Sequence, residues 1–104
     1  MPVANVTVQD AAARLSEYRL IDVREPDEFV GELGHVDGAE LMPLGTIPQA
    51  AARLPKDANL LLICKSGGRS GRAADFLAAQ GYGKVTNMVG GMLAWNAAGL
   101  PTKR

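Results

Sequence analysis

The feature that most restricts the fold of this chain is a short apolar run that ends in its one cysteine. Residues Leu60–Cys64 are all apolar, which is typical of a central strand of a parallel sheet, covered on both faces. Two adjacent glycines, Gly67 and Gly68, follow it, and residues 73–78 then place apolar side chains at helical spacing. A buried strand, a glycine turn and a helix in this order predict an α/β domain.

The rest of the chain repeats this alternation. Strands are also predicted at 19–23, 39–42 and 85–89, and helices at 7–15, 26–29, 47–54 and 92–97. Thr7 is predicted to cap the first of these helices, with Asp10 three residues later, and Pro26 fits the first turn of the second. Four strands and five helices are located in this way, and we predict roughly five strands and five short helices in all. We predict one domain over residues 1–104 because no linker or repeat interrupts them.

Charge and cysteine usage exclude several classes of protein. Lysine plus arginine and aspartate plus glutamate number 11 each, so we expect no nucleic-acid partner and no anionic membrane surface. The longest apolar run is too short to cross a bilayer, and the first ten residues lack the pattern of a signal peptide. One cysteine cannot form an internal disulfide or a zinc site of several thiolates. We predict a cytoplasmic protein without a metal.

The predicted strand end places Cys64 where α/β sheets form their sites, outside the carboxyl end of a strand. Gly67 and Gly68 can adopt positive φ, so the backbone can curl with its N–H groups inward. The following helix adds unpaired N–H groups and partial positive charge, and Lys65 and Arg69 add local cations. Such surroundings lower a cysteine pKa from about 8.5 to roughly 3.5–7.5. We therefore predict that Cys64 is a nucleophile at neutral pH.

The same residues also permit a purely structural interpretation. A single cysteine at a strand end can be a small buried hydrophobic residue, and Arg69 can be a solvent-facing helix charge. Gly67 and Gly68 can form an ordinary turn, which is compatible with either interpretation. The order of strand, cysteine, glycines, arginine and helix favours the nucleophile, because an anion cradle needs all of these parts.

Three segments of the chain resemble the rhodanese family. The first is LIDVREPDEF at 20–29 with GHVDGA at 34–39, the second is CKSGGRS at 64–70, and the third is GGMLAW at 90–95 with AGLP at 98–101. They are similar to the family's N-terminal signature, its catalytic loop and its C-terminal motif, and they follow the family order. Asp37 departs from the pattern, since proline is common there.

The resemblance implies a three-layer α/β fold with a central five-stranded parallel sheet flanked by helices. It also implies a thiosulfate sulfurtransferase, in which Cys64 takes sulfur from thiosulfate or another persulfide and passes it to cyanide, a thiol or a protein acceptor. No metal or organic cofactor is implied. Catalytic roles fall to Cys64 and Arg69. Substrate-binding roles fall to Lys65, Ser66, Gly67, Gly68, Ser70, Arg24 and Asp22.

Some of these residues have equally natural structural roles. Asp22 and Arg24 can form ion pairs and hydrogen bonds beside the sheet. His35, the one histidine, lies in a glycine-rich turn and is expected to make a structural hydrogen bond. Trp95 is expected to pack the last helix onto the sheet. Three more apolar side chains are predicted to lie in the core: Phe29, Leu77 and Met88.

Two other functions stay open at this point. Cysteine phosphatases and arsenate reductases of similar fold carry five residues between cysteine and arginine, whereas four lie between Cys64 and Arg69. By family analogy the shorter loop fits a sulfur atom better than a phosphate. The second alternative is a non-catalytic binding module or a sulfur carrier. Such binding domains often lack the cysteine that this chain has.

Overall fold

The computed structural model describes residues 3–104, and within them the chain forms a five-stranded sheet in which all neighbours are parallel. The spatial order is β1-β5-β4-β2-β3. The strands are β1 (Ala4–Val6), β2 (Arg19–Asp22), β3 (Glu40–Leu41), β4 (Leu60–Ile63) and β5 (Val85–Met88). The apolar run at 60–63 is the central strand, and the predicted five-stranded parallel sheet is confirmed.

Helices cover both faces of this sheet. They are α1 (Val8–Ala13), α2 (Pro26–Phe29), α3 (Ile47–Ala50), α4 (Gly68–Ala79) and α5 (Gly91–Ala97), with short 3-10 turns at Leu15–Glu17, Leu44–Thr46 and Ala51–Arg53. Alternate side chains of β4 enter two separate core clusters, because successive strand residues point to opposite faces. Leu60 and Leu62 pack with α3 and α4, and Leu61 and Ile63 pack with α1 and α5.

The predicted helix starts follow from local chemistry. The Thr7 side chain accepts a hydrogen bond from the Asp10 N–H at 3.1 Å, which satisfies one of the free N–H groups of α1. Pro26 occupies the first turn of α2, and the side chain of Glu28 accepts a hydrogen bond from the Glu25 N–H at 3.0 Å. Both predicted helix starts are confirmed.

Several boundaries differ from the sequence-based prediction. Strand β1 was not located, since its three residues lie at a sheet edge with Ala4 and Asn5 exposed, which leaves no apolar run to detect. The helix predicted at 47–54 is α3 followed by a tighter 3-10 turn. Helix α4 begins at Gly68, inside the predicted loop, so the loop's last residues form the first helical turn.

The predicted core is confirmed at two of three positions. Leu77 and Met88 are fully buried. Phe29 is only half-buried, because α2 has four residues and lies at the surface. Its ring stacks on His35 instead, with the ring centroids 3.7 Å apart. No helix within residues 3–104 has both the length and the apolar character needed to cross a membrane.

Candidate active site

Cys64 is the first residue after β4, and its sulfur faces polar donors although the residue is only 1% exposed. The Gly67 N–H donates to Sγ at 3.0 Å, and the Ser70 hydroxyl oxygen lies 3.2 Å from Sγ. One side of Cys64 still packs in the cluster that includes α4. The residue is therefore both buried and aimed into a turn of backbone N–H groups.

The turn depends on one of its two glycines. Gly67 has φ +102° and occupies the cap position before α4, in a region that side chains with a Cβ rarely adopt. Gly68 does not have a positive φ, and a Cβ added there would meet nothing within 4 Å. The expectation that both glycines can use positive φ is thus met only at Gly67, because Gly68 already belongs to the helix.

These donors change the acidity of the thiol. Burial raises the pKa of Cys64, but hydrogen bonds from the Ser70 hydroxyl and from the N–H groups of Ser70, Gly67 and Ser66 lower it by more. The net effect is a pKa below that of an ordinary cysteine. The thiolate is the nucleophilic form, so these hydrogen bonds increase the fraction of Cys64 that can react at a given pH.

Arg69 lies at the rim of the site in a bidentate ion pair with Glu28. The two guanidinium–carboxylate distances are both 2.7 Å, and the side chains are 30% and 27% exposed. The hydrogen bond from Arg69 lowers the pKa of Glu28 to about 2, against the opposing effect of burial. The pair raises the pKa of Arg69, and the negative charge of Cys64 adds to that effect. Glu28 lies 41 positions away and was not found from the sequence.

Asp22 and Arg24 form a second ion pair, which is buried. Arg24 Nη2 donates to Asp22 Oδ2 at 2.8 Å, and the side chains are 1% and 0% exposed. Arg24 also donates to the carbonyl oxygens of Gly34 at 2.7 Å and Glu28 at 3.2 Å. These bonds join the end of β2 to α2 and to the Gly34 turn. They support a structural role for a pair that was predicted to bind substrate.

The N-terminus of α5 donates hydrogen bonds to the backbone of the loop that follows Cys64. The Met92 N–H donates to the Cys64 carbonyl at 2.9 Å, and the Leu93 N–H donates to the Lys65 carbonyl at 3.0 Å. Gly91 has φ +56°, and a Cβ there would overlap the carbonyl oxygens of Cys64 and Lys65. The absence of a side chain at Gly91 therefore allows the start of α5 to lie close to the backbone of Cys64 and Lys65. No sequence pattern indicated that Gly91 supports the cysteine loop.

Asn87 on β5 is a further site residue that sequence reasoning missed. Its Oδ1 accepts a hydrogen bond from the Ser70 hydroxyl at 2.6 Å, and its Nδ2 donates to the Gly67 carbonyl at 3.2 Å. A signal was available in the sequence, because asparagine is depleted in strands and Asn87 lies within the strand predicted at 85–89. The residue therefore touches the cysteine loop at two points.

The two remaining predicted site residues, Lys65 and Ser66, have side chains exposed to solvent. Lys65 is exposed, and with Arg24, Asp27, Glu28 and Glu32 it lines a groove of about 230 Å³ next to the loop. Ser66 is also exposed and reaches the sulfur only through its N–H group. Among residues 3–104, no group of three histidine, cysteine, aspartate or glutamate side chains is placed to hold a metal ion.

The structural hydrogen bond expected at His35 is present, and Trp95 packs α5 against the sheet as expected. His35 Nδ1 lies 2.8 Å from the Phe29 carbonyl oxygen, and its backbone pairs with Lys103. Trp95 is 1% exposed in α5, and its indole N–H donates to the Pro101 carbonyl at 2.9 Å. The His35 backbone and the Trp95 side chain therefore tie the C-terminal segment to the domain, while the His35 ring binds the Phe29 carbonyl.

Comparison with known proteins places this geometry in a family. Residues 7–98 match the Rhodanese-like domain. A sulfurtransferase from Allochromatium vinosum is 40% identical over 82 residues, which are 79% of this chain and 75% of that protein. The putative sulfurtransferase YtwF from Bacillus subtilis is 42% identical over 85 residues, covering 82% and 80% of the two chains.

Solved structures agree with the fold. A rhodanese-related protein from Thermoplasma volcanium superposes with a TM-score of 0.86 at 28% identity, covering 94% of this chain and 95% of that one. Several other matching relatives are longer, and this chain spans only 19% to 45% of their length.

Proposed function

This chain belongs to the rhodanese-like domain family, and its relatives include a sulfurtransferase and a putative sulfurtransferase. On that premise we propose that Cys64 carries a transferable sulfur atom as a persulfide. One contact set supports the proposal most directly. The sulfur of Cys64 receives the Gly67 N–H at 3.0 Å and lies 3.2 Å from the Ser70 hydroxyl, at the N-terminus of α4. Preorganised donors of this kind stabilise a sulfur anion without reorganisation during the reaction.

The proposed reaction has two steps. In the first, the Cys64 thiolate attacks the outer sulfur of thiosulfate, the sulfur–sulfur bond breaks, and sulfite leaves with the bonding electron pair. The product is a persulfide whose outer sulfur carries the negative charge. In the second, cyanide or a thiolate attacks that outer sulfur, the bond to Sγ breaks, and Cys64 leaves as a thiolate. Thiocyanate or a new persulfide is the product, and the enzyme returns to its starting form.

The helix supplies the rest of the cradle. The first N–H groups of an α-helix have no partner within the helix and carry a partial positive charge. In α4 these belong to Gly68, Arg69 and Ser70. We assign the outer sulfur of the persulfide to the Gly68 and Arg69 N–H groups, with the Ser66, Gly67 and Ser70 N–H groups turned toward Sγ.

Arg69 has a narrower role than a free anion-binding arginine. Its guanidinium is already engaged by Glu28 through two hydrogen bonds of 2.7 Å. To bind the sulfonate oxygens of thiosulfate, Arg69 must share or release this carboxylate. We therefore infer that Arg69 first acts as a nearby positive charge, and that a dianionic donor competes with Glu28 for it.

The Arg69–Glu28 pair does not separate a phosphatase from a sulfurtransferase, because phosphate and thiosulfate would each have to compete with Glu28. The feature that weakens the phosphatase alternative is the spacing of four residues between Cys64 and Arg69. A protein acceptor remains within the proposal, since a putative sulfur carrier protein, YrkF from Bacillus subtilis, is also among the relatives. The cytoplasmic location stays a prediction.

Intact-protein mass spectrometry tests the proposal. After incubation with thiosulfate, we expect the wild-type chain to gain the mass of one sulfur atom, and cyanide to remove it with release of thiocyanate. The Cys64→Ala variant must gain nothing. A wild-type chain that gains no sulfur from thiosulfate or from a low-molecular-weight persulfide, yet hydrolyses an aryl phosphate, would overturn the proposal.

A further inference from the structure

Asn87 lies behind the cysteine loop and takes no part in the two proposed steps. It is nearly buried on β5, and its amide spans two parts of the loop. Nδ2 donates to the Gly67 carbonyl at 3.2 Å, so the other end of the amide, Oδ1, must face Ser70. That oxygen lies 2.6 Å from the Ser70 hydroxyl oxygen. The carbonyl of Gly67 therefore determines which atom Asn87 presents to the serine.

The Ser70 hydroxyl stands between two acceptors. Its oxygen lies 2.6 Å from Asn87 Oδ1 and 3.2 Å from Cys64 Sγ. A hydroxyl group has one proton to donate, so Ser70 cannot serve both acceptors at once. When Cys64 is a thiol, its S–H can donate to Ser70 and Ser70 donates to Asn87. When Cys64 is a thiolate, the charged sulfur is the stronger acceptor and the hydroxyl turns to it.

We propose that Asn87 is a positioning residue for the sulfur of Cys64: its Oδ1 competes with the sulfur for the Ser70 proton, and its Nδ2 holds the Gly67 carbonyl. The inference rests on the proposed function, in which the charge on Sγ comes and goes during each cycle. In the persulfide the charge lies on the outer sulfur, so Ser70 returns to Asn87. When the acceptor removes the outer sulfur, Sγ regains its charge and the Ser70 hydroxyl with it.

This competition keeps the thiolate reactive. A sulfur anion with too many donors is stable but less nucleophilic, because nucleophilicity falls as the pKa falls. Asn87 gives the hydroxyl a second acceptor and so limits the stabilisation of the starting thiolate. The hydroxyl still reaches Sγ at the moment Cys64 leaves.

Few other charges compete with this effect. Neither β5 nor α5 contains a titratable residue. The charged groups around the sulfur are the Arg69–Glu28 pair, the Asp22–Arg24 pair and Lys65. With a pKa of about 2, Glu28 is already ionised throughout the range in which a thiol titrates.

The test is the pH profile of Cys64 alkylation in two variants that make opposite changes at one position. Asn87→Leu removes the competing acceptor, so the midpoint of the profile moves to lower pH. Asn87→Asp supplies a stronger, charged acceptor, so the midpoint moves to higher pH and kcat/KM for thiosulfate falls about tenfold at neutral pH. A merely structural role would move both variants in the same direction.

Two controls complete the design. Thr86→Val changes the neighbouring residue, whose side chain points to the other face of β5, and leaves the midpoint unchanged. In a Ser70→Ala background, Asn87→Leu no longer moves the midpoint, because its effect passes through the serine hydroxyl. Trp95 fluorescence and thermal melting show that each variant is folded, and Asn87→Ala replaces Asn87→Leu if the latter unfolds.

Four results would each overturn the inference. The midpoint could shift equally in both Asn87 variants, or shift in neither. It could also shift in the absence of the Ser70 hydroxyl, or every Asn87 variant could unfold. Alkylation needs no sulfur donor, so this result is independent of the proposed function. A wild-type chain that fails to load sulfur while the Asn87 variants shift as expected would refute the sulfurtransferase proposal and would still show that Asn87 controls the protonation of Cys64.

Discussion

Helices α4 and α5 begin in nearly the same way and yet do different things. Each follows a central strand of the sheet, each has a glycine with positive φ at its cap, Gly67 at +102° and Gly90 at +82°, and both start at the carboxyl edge. The N-terminus of α4 faces the sulfur of Cys64. The N-terminus of α5 gives its N–H groups to the carbonyls of Cys64 and Lys65.

The difference teaches that a strand, glycine and helix unit is only a source of unpaired N–H groups. What those groups do depends on what stands opposite them. In α4 they meet a side-chain sulfur that can change its charge, so the helix can act in chemistry. In α5 they meet carbonyl oxygens that cannot change, so the helix supports the loop. We expect substitutions at the two ends to separate these roles, with effects that decrease from Gly91→Ala to Gly68→Ala.

Gly91→Ala changes the N-terminus of α5, which supports the cysteine loop, and has the largest expected effect on stability. The new Cβ overlaps the carbonyls of Cys64 and Lys65, and the backbone has φ +56°. We expect a loss of about 2–5 kcal/mol in the free energy of unfolding and loss of sulfur loading. Urea denaturation followed by the fluorescence of Trp95, which lies in α5, measures the first effect. A variant of wild-type stability would show that the close approach of α5 is unimportant.

Gly67→Ala changes the residue before α4, and we expect it to lower the free energy of unfolding by less than Gly91→Ala does. The Cβ would lie 3.3 Å from the Gly90 nitrogen, which is tight, and the main penalty is the positive φ. We expect a loss of about 1–2 kcal/mol, together with an alkylation midpoint moved to higher pH as the Gly67 N–H turns from the sulfur. Paired urea and alkylation measurements test this. An unchanged midpoint would mean that another donor compensates for this N–H.

Glu28→Gln tests the ion pair that only the α4 end possesses. Because Arg69 lowers the pKa of Glu28 to about 2, the pair stabilises the fold above pH 4.5, and this contribution is lost as the pH falls toward 2. The wild type should exceed the variant by at most about 1 kcal/mol at neutral pH, because the pair is partly exposed. The difference should vanish near pH 2, as measured by urea denaturation at each pH.

The same variant has an effect on binding. Glutamine leaves Arg69 free to meet a dianionic donor, so we expect the KM for thiosulfate to fall about threefold. Glu40→Gln is the matched control, since Glu40 forms a similar surface pair with Arg19 and lies on β3. Because Arg19 lowers the pKa of Glu40, this variant should lose a little stability at neutral pH, with the difference disappearing in acid, and it should leave KM unchanged. A KM that rises in Glu28→Gln would show that the carboxylate itself helps to position the donor.

Gly68→Ala has the smallest expected effect. Gly68 is in the first turn of α4 without a positive φ, and a Cβ there meets nothing within 4 Å. Replacing glycine by alanine in a compatible helical position reduces the entropy of the unfolded chain, so a gain of about 0.5 kcal/mol is expected. The alkylation midpoint should match the wild type. A clear loss of stability or sulfur loading would mean that both glycines are required at the α4 end.

Much of the fold could be predicted because its signals are local. The apolar run before Cys64, the cap at Thr7 and the proline at 26 each act on their own neighbours, and each appears in the structure as expected. Strand β1 escaped prediction because an exposed three-residue edge strand is stabilised by its partner β5 and carries no pattern of its own.

The candidate site likewise has local features that the sequence predicts and long-range contacts that it does not. The sequence by itself determined that a thiol follows the central strand and precedes a glycine-capped helix, since chain order and backbone preferences need no distant partner. Only the tertiary structure decided three contacts: the ion pair of Arg69 with Glu28, the hydrogen bond between Ser70 and Asn87, and the hydrogen bonds from α5 to the cysteine loop. The physical reason is that hydrogen bonds and ion pairs depend on distances across the sheet edge, which exist only once parallel strands have brought remote segments together.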